Sequence, residues 1–147
     1  MGLSFMIGIC FIWVGFVGAI SFMESWLKFR APGVKLPVGL SIGRLIFKAL
    51  NRVEWACFLL LLIGVLAFVD GPGTDISLDP FVWVGVVLIF ILILQTVVWL
   101  PKMDKRANQV IAGEQPPKSN MHFVYVAAEL IKLVLLIYLG SQLLALV

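Results

Sequence analysis

Residues 119–132, SNMHFVYVAAELIK, open the last apolar run of the sequence and place four polar side chains in it. On a helix with about 100° per residue, His122, Tyr125, Glu129 and Lys132 fall within an arc of about 80°. Lys132 lies about 15 Å along the helix from His122, close to the middle of a hydrocarbon core about 30 Å thick. Ionisable groups at that depth normally face protein or water and find a partner. The pattern therefore predicts a buried polar seam on the last helix.

The composition excludes a soluble globular protein. Hydrophobic residues make up 62% of the 147 residues and charged residues 13%, and the mean hydropathy is +1.10, so too little polar surface is present to cover a water-soluble fold. Four apolar runs predict an all-α fold, a four-helix transmembrane bundle in a single integral-membrane domain of residues 1–147. The expected spans are residues 3–27, 46–69, 81–100 and 122–146. The first run lacks a basic leader and a small-residue cleavage site, so it is expected to be a retained helix.

The basic residues orient this bundle. Ten of the eleven lysines and arginines lie in two connections, after the first and the third apolar run, whereas the connection between the second and third runs carries three aspartates and no basic residue. By the positive-inside rule, both basic connections are cytoplasmic and both termini face outward. Because every basic residue except Lys132 flanks a span, nucleic-acid binding is not expected, and the lipid bilayer is the expected partner.

The two basic connections are expected to differ in structure. Residues 29–43 contain prolines and several glycines, which predicts an irregular segment. Pro101 is expected to end the third helix, and residues 103–111 have the i, i+4, i+7, i+8 apolar spacing of a short cytoplasmic amphipathic helix on the membrane surface. The basic side chains of these regions are expected to meet lipid headgroups: Arg44, Lys48, Arg52, Lys102, Lys105 and Arg106.

Polar residues of the other runs are expected to join the seam of the last helix. They are Glu24, Glu54 and Gln95, and the predicted topology places all of them in the cytoplasmic half of the bundle. Together with His122, Tyr125, Glu129 and Lys132, they form either a ligand-binding pocket or a set of structural pairs that holds the helix register. The sequence leaves both interpretations open.

Several chemistries have no support in the sequence. His122 is the only histidine, and no haem-attachment motif is present, so a bis-histidine haem within one chain is excluded. No nucleophile elbow, Walker loop or H-E-x-x-H motif occurs, so no catalytic residue is predicted. We expect no metal site, and the sequence identifies no cofactor. Cys10 and Cys57 are expected to lie toward opposite faces of the membrane, too far apart for a disulfide.

Short motifs connect the chain with two groups of membrane proteins. The run FVGAISFMESWLKFRAPGVKLPVGLSIGRLIFKALNRVEW (residues 16–55), with R-A and H-x-x-Y in the last third, resembles small four-helix bacterial membrane proteins of unknown function related to the transmembrane-protein-205-like family. The G-x-x-x-F-x-x-x-W-x-K-F motif and the run EWACFLLLLIGVL (residues 54–66) are similar to DoxX-like four-helix proteins. These resemblances imply a multi-pass protein of the bacterial inner membrane, and the second implies quinone-linked redox chemistry.

Three functions follow as expectations. The first is a non-enzymatic accessory or scaffold subunit of a larger membrane complex or a homo-oligomer. Its basis is the small size of the chain and the pair Gly15 and Ala19, whose spacing lets a neighbouring helix approach closely. The second is small-ligand binding or transport through a cytoplasm-facing polar pocket. The third is a quinone-linked redox membrane protein.

Overall fold

The computed structural model describes residues 2–69 and 79–147, which form four long helices and, within those ranges, no strand. Helix α1 covers Gly2–Arg30, α2 covers Leu36–Val69, α3 covers residues 79–111 and α4 covers Met121–Leu144. Each is long and apolar enough to cross a membrane. The expected all-α, four-helix transmembrane architecture is therefore confirmed. The acidic connection between α2 and α3 lies, up to residue 78, outside the described residues.

Helices α2 and α3 are the longest of the four and extend furthest beyond the hydrocarbon core. Helix α2 has 34 residues, which correspond to about 51 Å, against about 30 Å for a hydrocarbon core. The start of α2 and the end of α3 extend on the same side and pack against each other. Asp104 of α3 lies 3.0 Å from Nζ of Lys48 and 3.8 Å from the Arg44 guanidinium, and Arg44 also donates to the side chain of Asn108. We call this side the basic end of the bundle.

The connection between α1 and α2 is shorter than expected. Helix α1 continues to Arg30 and α2 begins at Leu36. The expected irregular segment over residues 29–43 is therefore wrong except for residues 31–35. Gly33 makes the turn with φ +82°, a left-handed conformation that glycine adopts without strain. The second residue of α2 is proline, which the first turn of a helix tolerates because its missing N–H needs no partner there.

Two glycines that suggested a loop are instead packing positions inside α2. A Cβ atom on Gly39 would overlap the ring of Phe29, and one on Gly43 would lie 2.7 Å from Nζ of Lys28. Both glycines are buried. They let the end of α1 lie directly against the start of α2, which is a tertiary requirement that a local turn signal does not distinguish.

The expected stop at Pro101 is also wrong. Helix α3 runs as an α-helix over Asp79–Leu94, widens to a π-helical turn over Gln95–Trp99, and continues as an α-helix over Leu100–Ile111. The amphipathic helix predicted in this region is present, but it continues the third span. Proline occupies the second position after the π turn, where the altered hydrogen-bond register removes its conflict with the preceding carbonyl groups.

The core between the helices uses glycines of α2 and α4, not those of α1. A Cβ on Gly64 would lie 2.6 Å from Met6, and one on Gly140 would lie 3.2 Å from Phe11. No atom of the described residues comes within 4 Å of a Cβ placed on Gly15. The small-residue surface of α1 is therefore turned away from the bundle.

The two cysteines correct a further expectation. Cys10 and Cys57 are both buried in the same apolar core cluster, and both are free thiols. Their predicted separation toward opposite faces is wrong, because α1 and α2 run antiparallel and bring an early residue of α1 beside a late residue of α2.

Candidate functional site

A cluster of charged and polar side chains lies inside the bundle, with contributions from α2, α3 and α4. Its members are Glu54, Gln95, Glu129 and Lys132, and all four are 0% exposed. Lys132 has eleven residues of α4 before it and twelve after it, which places it roughly 16 to 18 Å from either helix end. We call these four residues the buried charge cluster.

Lys132 is the centre of the cluster. Its Nζ donates to Oε1 of Glu54, to Oε1 of Gln95 at 2.7 Å and to Oε1 of Glu129 at 3.1 Å. An ammonium group has three N–H donors, so this lysine has no donor left for another ligand. The pair predicted between Glu129 and Lys132 is present, and acceptors from α2 and α3 complete it.

Two further donors hold the carboxylates. The indole N–H of Trp13 on α1 donates to Oε1 of Glu54 at 3.0 Å, and the amide of Gln95 donates to Oε1 of Glu129 at 2.6 Å. Gln95 is the first residue of the π-helical turn in α3. Such a turn inserts one residue into the helical register and often occurs where a side chain must be directed at a site.

The cluster carries more negative than positive charge. With both glutamates ionised and Lys132 protonated, its formal charge is −1. One oxygen of each carboxylate, Oε2 of Glu54 and Oε2 of Glu129, is buried and accepts no hydrogen bond from any described residue. An uncompensated charge near the middle of a bilayer costs at least about 2.5 to 3.5 kcal/mol. The side chains that contact the cluster therefore do not neutralise its charge completely.

A layer of large side chains covers the cluster on the side of the basic end. The ring centroid of Tyr125 lies 5.3 Å from that of Phe47 and 6.4 Å from that of Trp99, both in edge-to-face geometry. Leu50 and Leu100 complete this buried group. We call Phe47, Trp99 and Tyr125 the aromatic layer. The Tyr125 hydroxyl has no hydrogen-bond partner among the described residues.

Beyond the aromatic layer, the four helix ends surround a cavity of about 220 Å³. Apolar side chains, among them Phe29, Leu40 and Met103, form much of its wall, and Phe47 and Leu100 separate it from the interior. Its polar lining is mostly cationic. These polar residues are Ser25, Lys28, Arg44, Lys48 and His122. We call it the basic-end cavity.

The cations of this cavity are only partly neutralised. Lys28 forms an ion pair with Glu24 at 3.1 Å, and its Nζ lies 5.6 Å from the ring centroid of Phe47. Arg44 and Lys48 share one carboxylate, that of Asp104. Three cations thus face two carboxylates, which leaves a formal charge of +1. The Nε–H of Arg44 is buried and has no partner among the described residues.

The predicted polar seam is therefore divided into two sites. The structure brings Glu54, Gln95, Glu129 and Lys132 together, whereas Tyr125 belongs to the layer that covers them. Glu24 and His122 lie at the basic end, the first paired with Lys28 and the second on the cavity wall. His122 lies apart from the Glu129–Lys132 pair, on the cavity wall, and an interaction of Tyr125 with that pair stays a prediction.

The residues expected at lipid headgroups fall into two groups, those that contact other parts of the protein and those with exposed side chains. Arg44 and Lys48 contact Asp104 and the cavity, and Arg106 donates to the backbone carbonyl of Pro117. The remaining three have exposed side chains, so headgroup contact stays a prediction for them: Arg52, Lys102 and Lys105.

Sequence reasoning missed the partners that lie on other helices. The sequence pattern treats Trp13 as an ordinary apolar residue of the first run. A buried indole N–H normally requires a hydrogen-bond acceptor, and this requirement could have predicted a polar partner for Trp13. A second missed contact joins α2 to α3, where Trp55 donates to the Thr96 hydroxyl at 2.9 Å and that hydroxyl lies 3.0 Å from Oδ1 of Asn51. Neither contact has a sequence spacing that would reveal it.

Comparisons with known proteins add no assignment: the chain matches no protein-family model, no curated protein and no solved structure. Within residues 2–69 and 79–147, no group of three or more metal-ligating His, Cys, Asp or Glu side chains is brought together. The function must therefore be argued from the two sites themselves.

Proposed function

We propose that this membrane protein binds a small amphiphilic anion at its basic end. The observation that carries the proposal is the basic-end cavity, where three cations meet two carboxylates over an apolar wall. Anions with an apolar part match both features of this lining, because the excess charge attracts the head and the apolar wall accepts the adjoining carbon chain. The buried charge cluster is a poorer ligand site because Lys132 has used all its donors.

The size of the cavity limits the ligand. About 220 Å³ is smaller than the roughly 300 to 1,000 Å³ of pockets that enclose a drug-sized molecule. A phosphate or carboxylate head with its first few carbon atoms fits, and a longer chain would continue along the lipid-facing helices. The partly satisfied guanidinium of Arg44 supplies directional N–H donors, which suit such an oxyanion.

The proposal includes an orientation. Charge asymmetry in the sequence favours a cytoplasmic basic end with both termini outside, in a bacterial inner membrane as the family resemblance implies. The ligand would then enter from the inner leaflet or the cytoplasm. Reporters fused to the two termini test this topology, and a cytoplasmic signal from either terminus contradicts it.

A binding titration tests the function directly. Purified protein in uncharged detergent is titrated with a short-chain alkyl phosphate, with inorganic phosphate and with an alkyl trimethylammonium of equal chain length. We expect the alkyl phosphate to bind more tightly than inorganic phosphate, and the cationic amphiphile not to bind. Equal binding of both amphiphiles would show unspecific partition and would contradict the proposal.

A pair of charge-matched variants locates the site. Arg44→Gln with Lys48→Gln removes two cations from the cavity, and we expect at least a tenfold loss of affinity, equivalent to about 1.4 kcal/mol. Lys35→Gln with Arg52→Gln removes two exposed cations that do not line it, and we expect no comparable loss. Equal losses in the two variants would assign the effect to net charge alone.

An accessory-subunit role is a second proposal. Its specific support is the small-residue surface of α1, where Gly8, Gly15 and Gly18 have no described atom within 4 Å of an added Cβ. Such a surface permits close approach of a helix from another subunit. Copurification of a stoichiometric membrane partner that is lost in Gly15→Leu would support this role. The quinone-linked proposal rests on the DoxX-like resemblance alone, and a quinone retained on purification would be its support.

A further inference from the structure

The buried charge cluster has an unbalanced charge and two unused acceptors, and these point to a second binding function. We propose that the cluster is a proton-binding site, in which Glu54 and Glu129 together hold one proton while Lys132 remains charged. The bound proton makes the cluster neutral. This site is separate from the basic-end cavity and does not depend on the ligand proposed there.

The charges and the hydrogen-bond donors of the cluster do not balance. Two carboxylates face one ammonium group, and each carboxylate has one fully buried oxygen without a donor, Oε2 of Glu54 and Oε2 of Glu129. A proton on either oxygen removes the excess negative charge. A trapped water molecule could donate a hydrogen bond to these oxygens, but it carries no net charge and leaves the imbalance unchanged.

No other cation among the described residues reaches the cluster. From α1 the contact is the indole of Trp13, and from α3 it is the amide of Gln95, neither of which titrates near neutral pH. The remaining titratable neighbours are Tyr125 on α4 and the thiols of Cys57 and Cys10. A phenol and thiols are neutral at neutral pH and supply no positive charge.

The cluster is also enclosed by other side chains. All three charged side chains of the cluster are 0% exposed, and Phe47, Trp99 and Tyr125 close it toward the basic end. A buried site of this kind discriminates by size, since the ammonium group already occupies the space between the carboxylates. A proton needs no further volume, whereas a hydrated metal ion does.

Counting protonated carboxyl groups tests the proposal. Infrared spectra of the purified protein at neutral pH separate the C=O stretch of a protonated carboxyl from the bands of carboxylates. If the cluster is neutral, the natural protein has one protonated carboxyl group in it. Glu54→Gln and Glu129→Gln should have none, because Lys132 balances the one carboxylate that remains. Lys132→Met should hold two. Glu24→Gln, which removes a carboxylate at the basic end, is the matched control and should keep one.

Three results would overturn the proposal. They are a natural protein without a protonated carboxyl at neutral pH, a band that persists in both glutamate variants, and a band that appears only when sodium is replaced by choline. The last result would mean that a sodium ion, not a proton, balances the cluster.

The pH dependence of unfolding provides a readout that does not require Lys132→Met to fold. Above about pH 4.3, where a glutamate of the unfolded chain is ionised, the folded protein would hold one proton more than the unfolded chain. The unfolding equilibrium constant should then rise tenfold per pH unit until the folded site releases its proton, so stability falls as the pH rises. This slope should be absent in Glu129→Gln. An equal slope in both proteins would contradict a proton held in the cluster.

Discussion

The buried charge cluster and the basic-end cavity both combine cationic side chains with carboxylates, but they differ in how these charges are partnered. In the cluster, every donor of Lys132 meets an acceptor, and the side chains are fully buried. In the cavity, Arg44 and Lys48 share a single carboxylate and border an open volume. The comparison shows that burial depth does not by itself make a ligand site. Unused donors beside accessible space are what the proposed site at the basic end offers in addition.

The largest expected effect is the loss of the cation from the cluster. Lys132→Met leaves two buried glutamates without their ammonium partner, and breaking a buried pair on one side typically costs about 3 to 5 kcal/mol. We expect a loss of this size in the free energy of unfolding, measured in mixed detergent micelles. Lys105→Met, at an exposed position, is the control and should change stability little.

A double-mutant cycle sharpens this result. Glu129→Gln combined with Lys132→Met should be less destabilised than the sum of the two single variants, because the charge left without a partner is then smaller. Strictly additive losses would show that the two side chains do not interact, despite their separation of 3.1 Å.

The next effect concerns the barrier between the two sites. Tyr125→Ala removes the ring that contacts both Phe47 and Trp99, and truncation of a buried aromatic side chain costs about 3 kcal/mol or more. We also expect water to reach the cluster, seen as faster hydrogen exchange of the protonated carboxyl in the infrared spectrum. Unchanged exchange would show that the aromatic layer does not seal the cluster.

A smaller effect is expected when the cavity is filled without any change of charge. Gly43→Leu places a side chain against the flexible end of Lys28 in the contact between α1 and α2, so it should reduce alkyl phosphate affinity about tenfold, or about 1.4 kcal/mol. Because Gly43 is a buried packing position, the added volume should also lower the free energy of unfolding by about 1 to 3 kcal/mol. Gly15→Leu adds the same side chain on the exposed side of α1 and serves as the control. An undiminished affinity in Gly43→Leu would place the ligand elsewhere.

The smallest effect is expected for Tyr125→Phe. The hydroxyl is buried without a partner, and removing an unsatisfied polar group is nearly neutral or slightly stabilising. We expect the free energy of unfolding to change by less than about 0.5 kcal/mol. A loss above about 1 kcal/mol would reveal a hydrogen bond from Tyr125 to the cluster.

The sequence by itself determined the four spans and the pairing of Glu129 with Lys132. Hydrophobic run length and helical spacing are local properties, and both survive in any packing of the helices. The same local rules were wrong for Gly39, Gly43 and Pro101, since a glycine or proline pattern does not distinguish a loop from a close helix contact or a π-helical turn.

Only the tertiary structure decided which polar groups meet. Trp13, Glu54 and Gln95 lie on three different helices. Their convergence at the buried charge cluster depends on helix rotation and on the extra residue in the π turn of α3. The separation of the seam into a closed cluster and an open cavity depends likewise on where the ring of Tyr125 packs. These outcomes follow from side-chain contacts between distant segments, which the spacing of residues along one helix does not contain.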